Sequence, residues 1–400
     1  MDLSTLRKEL EAELTTNILP FWMDRMVDER EGGFYGRVTG TDMLVPEAAK
    51  GAVLNARILW TFSAAYRLLR KEEYFVMATR AKRYLLDRFV DPVFGGVCWS
   101  VDYAGDPLEA KKQTYAIGFA IYGLSEYHRA TGDAEALTAA IHLAVDIERH
   151  CYDLVWGGYR EALTRSWQEL ADMRLSEKDA NERKTMNTHL HILEPYTNLY
   201  RVCRDERLER QLRGLVELFV DKIVDPRTGH LGLFFSDDWT PRSNTISYGH
   251  DIEASWLLHE AALTLGDDAL LRRVEPVVKR IAAAAAEGLN AEGGMMYERF
   301  PDSDITDADC HWWVQAENVV GHVNLYQHFA DEEALRTALR GWAFIKRHLV
   351  DTARGEWHWS LRANGTVNTD DDKAGFWKCP YHNGRMCLEL IGRMGQDKEG

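Results

Sequence analysis

A turn rich in glycine and aromatic residues recurs six times along the chain: GGFYG from Gly32, GGVCW from Gly95, GGYRE from Gly157, GHLGLFF from Gly229, GGMMYER from Gly293 and GEWHWS from Gly355. With Gly33, Gly96, Gly158, Gly232, Gly294 and Gly355 as markers, the successive intervals are 63, 62, 74, 62 and 61 residues. A fixed period of this length is the signature of a repeat architecture, closed or stacked. Before each turn lies an amphipathic segment with a charged face, such as MATRAKRYLLDRF or ERLERQLRGLVELF. After it lies a segment apolar nearly all round, such as AVLNARILWTFSAAY or TYAIGFAIYGLSEY. The first pattern describes a helix with one wet side, the second a helix buried on every face.

Six outer and six inner helices, joined by glycine-bearing hairpin turns, predict an (α/α)6 barrel, mainly α with short β hairpins after the glycines. The competing arrangement is an open α-solenoid, which also stacks helix pairs. Closure is favoured because six pairs complete a ring and no polar capping repeat is present. No Pro/Gly/Ser-rich linker interrupts the periods, so residues 1–400 are expected to form a single catalytic domain.

The net charge of −15 argues against a nucleic-acid partner, which needs a basic face. Six cysteines without a CxxC spacing suggest neither a zinc ribbon nor a disulfide framework, and reduced thiols are expected. The charged, amphipathic N-terminus does not read as a signal peptide and no apolar run is long enough for a membrane span, so a cytoplasmic location with no membrane partner is expected. No HExxH, EF-hand loop, GxGxxG or P-loop occurs, so the expected chemistry uses no metal and no cofactor. The oligomeric state is left open between monomer and weak dimer.

Polar residues that interrupt the inner segments are the informative ones. Arg57, Tyr115, Asn187, His191, His250, Glu253, Trp313, Glu317 and His382 lie at or near inner-helix starts, between 18 and 33 residues past their glycine markers. In a closed barrel they converge on one rim, forming a concave polar and aromatic pocket. His250 and Glu253, three apart, share a helix face, so Glu253 is expected to orient His250; the bland alternative is a satisfied core histidine. His382 follows Pro380 at a helix start, where the positive dipole end favours a neutral imidazole; the bland alternative is an N-cap filled by Asn383. His189 and His191 are two apart and share no face. His191, with Glu194 three residues on, is the site candidate, and His189 a packing or surface residue. Trp313 and Trp377 beside these groups suit stacking on a sugar ring.

The segments KTMNTHLHILEPYTNLYR, SYGHDIEASWLL, WWVQAENVVGHVNLYQ and WKCPYHNGRMCLELI, with RILWTFSAAYR and TYAIGFAIYGLSEYHRATGD before them, resemble the cellobiose 2-epimerases of the N-acylglucosamine 2-epimerase superfamily. The resemblance runs from about Ile18 to the last helix. It implies an (α/α)6 barrel and cofactor-independent epimerisation at C2 of the reducing-end sugar of a β-1,4-linked disaccharide, cellobiose to glucosyl-mannose and lactose to epilactose. It further implies His250 and His382 as acid/base catalysts and His191 as an aid to ring opening. Arg57, Asn187, Glu253 and Glu317 would bind or orient the sugar, Trp313 and Trp377 would form its platform, and Tyr115 would contact it. The alternatives are an N-acylglucosamine 2-epimerase or a mannose isomerase. A different class is a barrel glycoside hydrolase using Glu253 and Glu317. The long interval, with its charged stretch MRLSEKDANERK between Tyr159 and Met186, is expected to form a solvated loop or part of a lid over residues 160–185.

Overall fold

In a computed structural model that describes residues 2–396, the helices are α1 (Leu3–Glu13), α2 (Leu19–Arg25), α3 (Ala52–Leu69), α4 (Glu72–Tyr84), α5 (Thr114–Thr131), α6 (Ala134–His150), α7 (Met186–Val202), α8 (Glu206–Leu218), α9 (Tyr248–Leu265), α10 (Asp268–Ala285), α11 (Trp312–Phe329), α12 (Glu332–His348) and α13 (His382–Gln396). Apolar patterning sorts them into two layers. Every residue of α3 from Ala52 to Ala65 is buried, whereas α8 buries Leu208, Leu212, Leu215 and Val216, a single stripe. The inner ring is α3, α5, α7, α9, α11 and α13, each packed on the next, and α13 packs back on α3. At this seam Thr61 Oγ1 donates to the Pro380 carbonyl at 2.9 Å, and Gly384 lets α13 approach the Thr61 side chain. The helices therefore close as an (α/α)6 barrel, not an open solenoid.

The connections correct one detail of the sequence reading. Each inner helix reaches the next outer helix within a few residues, and four of these links turn on a left-handed residue: Arg70, Gly132, Gly266 and Ala330. The six glycine turns instead follow the outer helices and open the long connections to the inner ones. In each turn a side-chain oxygen of Asp28, Asp91, Asp153, Asp225, Asn290 or Asp351 accepts a following backbone N–H. The same residue's carbonyl accepts from Gly32, Gly95, Gly157, Gly229, Gly293 or Gly355. These bonds identify the equivalent glycines, so Gly229 and not Gly232 marks the fourth repeat. The third interval then becomes 72 residues and the next 64. His230 and Glu356 occupy places that glycine fills elsewhere, because the defining bond there uses only the backbone carbonyl.

Short strands lead into five inner helices: β1 (Lys50–Gly51), β4 (Lys112–Gln113), β6 (Lys184–Thr185), β8 (Ile246–Ser247) and β11 (Cys310–His311). Each pairs antiparallel with a strand lying beyond the next glycine turn: β2 (Ser100–Val101), β5 (Ala162–Leu163), β7 (Phe234–Phe235), β9 (Glu298–Phe300) and β12 (Ser360–Leu361). β3 (Pro107–Glu109) and β10 (Ile305–Asp307) extend two of these ladders. Neighbouring repeats are thus stitched along one rim, and a Val38–Ala374 bridge joins the first repeat to the last. Buried lysines at three strand starts, Lys50, Lys112 and Lys184, pair with Asp28, Asp91 and Asp153 at 2.7, 3.0 and 2.7 Å, tying each inner helix to its own turn.

Candidate active site

The strand starts define a common register. Seven residues after Lys50, Lys112, Lys184, Ile246, Cys310 and Lys378 come Arg57, Phe119, His191, Glu253, Glu317 and Arg385, one from each inner helix. Five of the six are ionisable, and all six are buried. Five of these reference points are strand starts and the sixth, Lys378, lies just ahead of α13; the residues seven later sit about one to one and a half turns into their helices, at one level about the barrel axis. Four residues after Ile246 and Lys378 stand His250 and His382, equivalent positions in the fourth and sixth repeats. Both pack against Trp313, whose ring centroid is 4.8 Å from that of His250 and 5.6 Å from that of His382.

Polar residues five after the strand start serve a different purpose. Nε2 of His189 accepts the Tyr159 N–H at 2.8 Å, and its Nδ1 lies 2.6 Å from the Thr185 carbonyl. Asp251 accepts the Leu231 N–H and Gln315 the Met295 N–H. These side chains clamp a glycine turn to its helix, which makes His189 a packing residue and not a surface one.

At the axis the buried groups form one connected network. Nδ1 of His382 lies 2.7 Å from Glu317 Oε1, and Trp256 Nε1 donates to Glu317 Oε2 at 2.9 Å. Nη2 of Arg385 donates to both Glu253 Oε1 and Glu317 Oε1, at 2.6 and 2.7 Å. Its Nη1 is directed at Glu194 and Tyr381, and Tyr381 OH also donates to Glu194. Glu194 Oε2 lies 3.1 Å from His191 Nδ1. Arg57 donates to Tyr115 OH at 2.8 Å and stacks its guanidinium over the Phe119 and Tyr381 rings. Tyr115 and Trp99 lean on Trp377, making an aromatic wall on that side.

The pairing expected between His250 and Glu253 does not form. Nδ1 of His250 sits 2.8 Å from Ser247 Oγ, and Glu253 turns to Arg385, with Nδ1 of His382 3.9 Å away. Both residues are on one helical face as the spacing requires, but Glu253 Oε1 accepts from the Arg385 guanidinium and Ser247 occupies the His250 Nδ1 instead.

Burial holds His250 down to about 4. Burial first, then the nearby charge of Arg57, keeps His191 and His382 well below the usual histidine value, so all three are neutral at pH 7. Burial raises Glu253 to about 8, and burial together with Glu253 raises Glu317. The pair therefore keeps a proton at neutral pH. Hydrogen bonding places it on Glu253, because both Glu317 oxygens accept from protein donors whereas Glu253 Oε2 has no partner. Arg57 Nε and Asn187 Oδ1 are likewise buried without a partner. Donors and acceptors of this kind, between aromatic faces, suit the hydroxyls of a sugar.

Glu253, Glu317 and His382 bring one ligand atom each within 4.8 Å of one another, the arrangement of a cation site. Arg385 donates to both carboxylates, so the positive charge they require is already supplied by the protein.

Sequence reasoning omitted Arg385, used Glu194 only as the neighbour of His191, and gave Tyr381 and Trp256 no role. Arg385 was within reach of the register, since it falls seven residues after Lys378. Glu194 lies one turn deeper on α7, and its partners beyond His191 are Tyr381, just ahead of α13, and Arg385 within it, which no local spacing reveals.

The family model described as N-acylglucosamine 2-epimerase matches residues 33–384. The chain belongs to the N-acylglucosamine 2-epimerase family. Members of this family are carbohydrate epimerases, so the chain is an isomerase. A cellobiose 2-epimerase from Bacteroides fragilis is 66% identical over 387 residues, 97% of this chain and 99% of that protein. One from Dictyoglomus turgidum is 40% identical, covering 98% and 100%. The solved cellobiose 2-epimerase of Bacillus thermoamylovorans superposes with a TM-score of 0.94 at 40% identity, covering 98% of this chain and 100% of that one. A D-mannose isomerase (TM-score 0.84, 22% identity) and a glycoside hydrolase family 76 mannanase (0.64, 14%) share the fold alone. Among the described residues no helix is long and apolar enough to cross a membrane.

Proposed function

We propose that this family member epimerises C2 of the reducing-end sugar of β-1,4-linked disaccharides, converting cellobiose to glucosyl-mannose and lactose to epilactose. The observation that carries the reading is the pair His250 and His382, neutral, at equivalent positions of the fourth and sixth repeats and both packed against Trp313. Ring opening, aided by His191, exposes the C1 aldehyde. One histidine then removes the C2 proton, and the electron pair passes into a C1–C2 double bond with negative charge on O1. The other histidine, as the imidazolium formed by taking up a proton from water, returns that proton to the opposite face of this planar enediolate; the aldehyde reforms, the first histidine is left protonated, and exchange with water resets both. A neutral imidazole suits the abstraction and its protonated form the return. Arg57, a permanent charge within the pocket, is placed to stabilise O1. Trp313 and Trp377 offer stacking faces, Glu253 and Asn187 offer free polar atoms, Tyr115 borders the substrate, and Glu317 fixes His382.

A hydrolase reading finds less support. Two catalytic carboxylates must flank the scissile bond, about 5 Å or more apart. Glu253 and Glu317 instead share a single Arg385 nitrogen. Turnover in deuterated water tests the proposal: cellobiose should yield a product deuterated at C2. His250→Ala and His382→Ala should each lose about 10²-fold or more in rate. Free glucose with no mannose-containing product would overturn it. Relative turnover of cellobiose, lactose, mannose and N-acetylmannosamine separates the disaccharide reading from the N-acylglucosamine 2-epimerase and mannose isomerase alternatives.

The loop at residues 160–185 fits the role of a lid. Gln113, at the start of α5, donates to the carbonyls of Met173 and Arg174 at 3.1 and 2.9 Å. On the far side Asp179 and Lys178 lie close enough to Tyr297, Glu298 and His311 to influence their titration. The loop thus reaches from the second repeat to the fifth. Shortening it should change both kcat and KM; a variant with both unchanged would exclude a lid.

A further inference from the structure

The network at the barrel axis links two of the three histidines through a single cation. The path runs His191 Nδ1, Glu194, Arg385, Glu317, His382 Nδ1, and every side chain in it is at least nine-tenths buried. We propose that Arg385, together with Glu194, is a positioning residue that sets the tautomer of both His191 and His382, so that each presents an unprotonated Nε2 to the sugar. The proposal rests on the epimerase reading above and adds two residues to it.

A carboxylate that is ionised only accepts hydrogen bonds, so an imidazole nitrogen against it must carry the proton. The other ring nitrogen is then left with a lone pair. Whether Glu194 and Glu317 are ionised depends on what surrounds them. Facing this cluster are Arg57 from α3, Tyr115 and Tyr122 from α5, His191 and Glu194 from α7, His250 and Glu253 from α9, Glu317 from α11, Tyr381 just ahead of α13, and His382, Arg385 and Glu389 from α13, the last paired with Arg393. Apart from that pair, the two guanidiniums stand against three carboxylates, and Glu253 holds the proton that balances them. Arg57 donates to Tyr115 and the Trp377 carbonyl, not to a carboxylate. Arg385 is therefore the cation that contacts both Glu194 and Glu317, and without it each would draw a proton and donate to its histidine instead, reversing the tautomer. His250, with Nδ1 on the Ser247 hydroxyl, lies outside this control, because a hydroxyl either donates or accepts.

The two roles of Arg385, holding the fold and setting tautomers, are separable by experiment. Arg385→Lys keeps a charge but not the forked geometry, and Glu194→Gln keeps shape while removing the acceptor beside His191. Nitrogen-15 NMR of imidazole-labelled enzyme reads the tautomers directly, and thermal melts report folding. In the folded wild-type protein His191 and His382 should both be Nδ1-protonated. Glu194→Gln should shift the population of His191 alone, and Arg385→Lys that of both. The loss in kcat should lie between about tenfold and the 10²–10⁴-fold that a positioned base contributes, with KM changed by less. Arg385→Lys should also displace the pH profile of kcat. Unchanged tautomers in a folded Arg385→Lys protein overturn the proposal, whatever its activity. Shifted tautomers with full turnover would uphold the positioning role and instead refute the histidines as proton carriers.

Discussion

At the level of single residues, burial sets the chemistry. His250 is held to about 4 by desolvation alone, and Glu253 rises to about 8 because no water supports its charge. The second shift has a consequence for stability. Unfolded, Glu253 titrates near 4.5; folded, near 8. Between those values the native state keeps a proton the unfolded chain has released, so this group's contribution is present at low pH and is lost as pH rises through that window. Glu253→Gln should flatten the fall in melting temperature across the same range, though not abolish it, since Glu317 shifts in the same direction. An unaltered slope would mean that Glu253 is ionised throughout. His191, His250 and His382 were legible as candidates because ionisable residues are conspicuous on apolar helices. Glu194 beside His191 was legible from its spacing of three, but the partners of His250 and His382 were not, because Ser247 and Glu317 take them in three dimensions.

At the level of elements, the glycine turns carry a steric requirement that differs from site to site. Gly158 has φ +77°, and a Cβ there would stand 2.7 Å from His189 Nε2 and also overlap Trp239. Gly132, a helix C-cap at φ +78°, would meet nothing within 4 Å. Gly132→Ala should therefore cost about 1 kcal/mol, from the left-handed backbone alone. Gly158→Ala should cost about 2–5 kcal/mol, since overpacking adds to the same strain. Equal losses in chemical denaturation would show that the turn repacks freely. The helical layers were readable from their patterns, because an inner helix must be apolar on all sides. The turn equivalences were misread in the fourth repeat, where the glycine of GHLGLFF that matches its neighbours is the first, not the second. Only the backbone bonds distinguish the two.

For the whole molecule, the seam between first and last repeats is held by a buried clasp. Glu356 accepts from Trp22 Nε1, Lys378 Nζ and Asn383 Nδ2 at 2.7, 2.9 and 2.6 Å, joining residues more than 330 positions apart. Glu356→Ala leaves Lys378 buried and unpaired, which should destabilise the protein by about 3–5 kcal/mol. Replacing both, Glu356→Ala with Lys378→Met, should recover part of that loss, since an apolar pair carries no uncompensated charge. Identical melting temperatures for the single and double variants would show that the clasp carries no net charge stress.

The sequence by itself determined the number of repeats, the two helical layers, and which ionisable residues interrupt the apolar inner helices. Each follows from local rules: period, burial of apolar faces, and the rarity of ionisable groups among them. Tertiary structure alone decided that the ring closes, that His250 and His382 both pack against Trp313, and that one arginine from the last helix contacts carboxylates from three others. Those outcomes depend on which surfaces meet across the axis, and a chain read in order contains no measure of that distance.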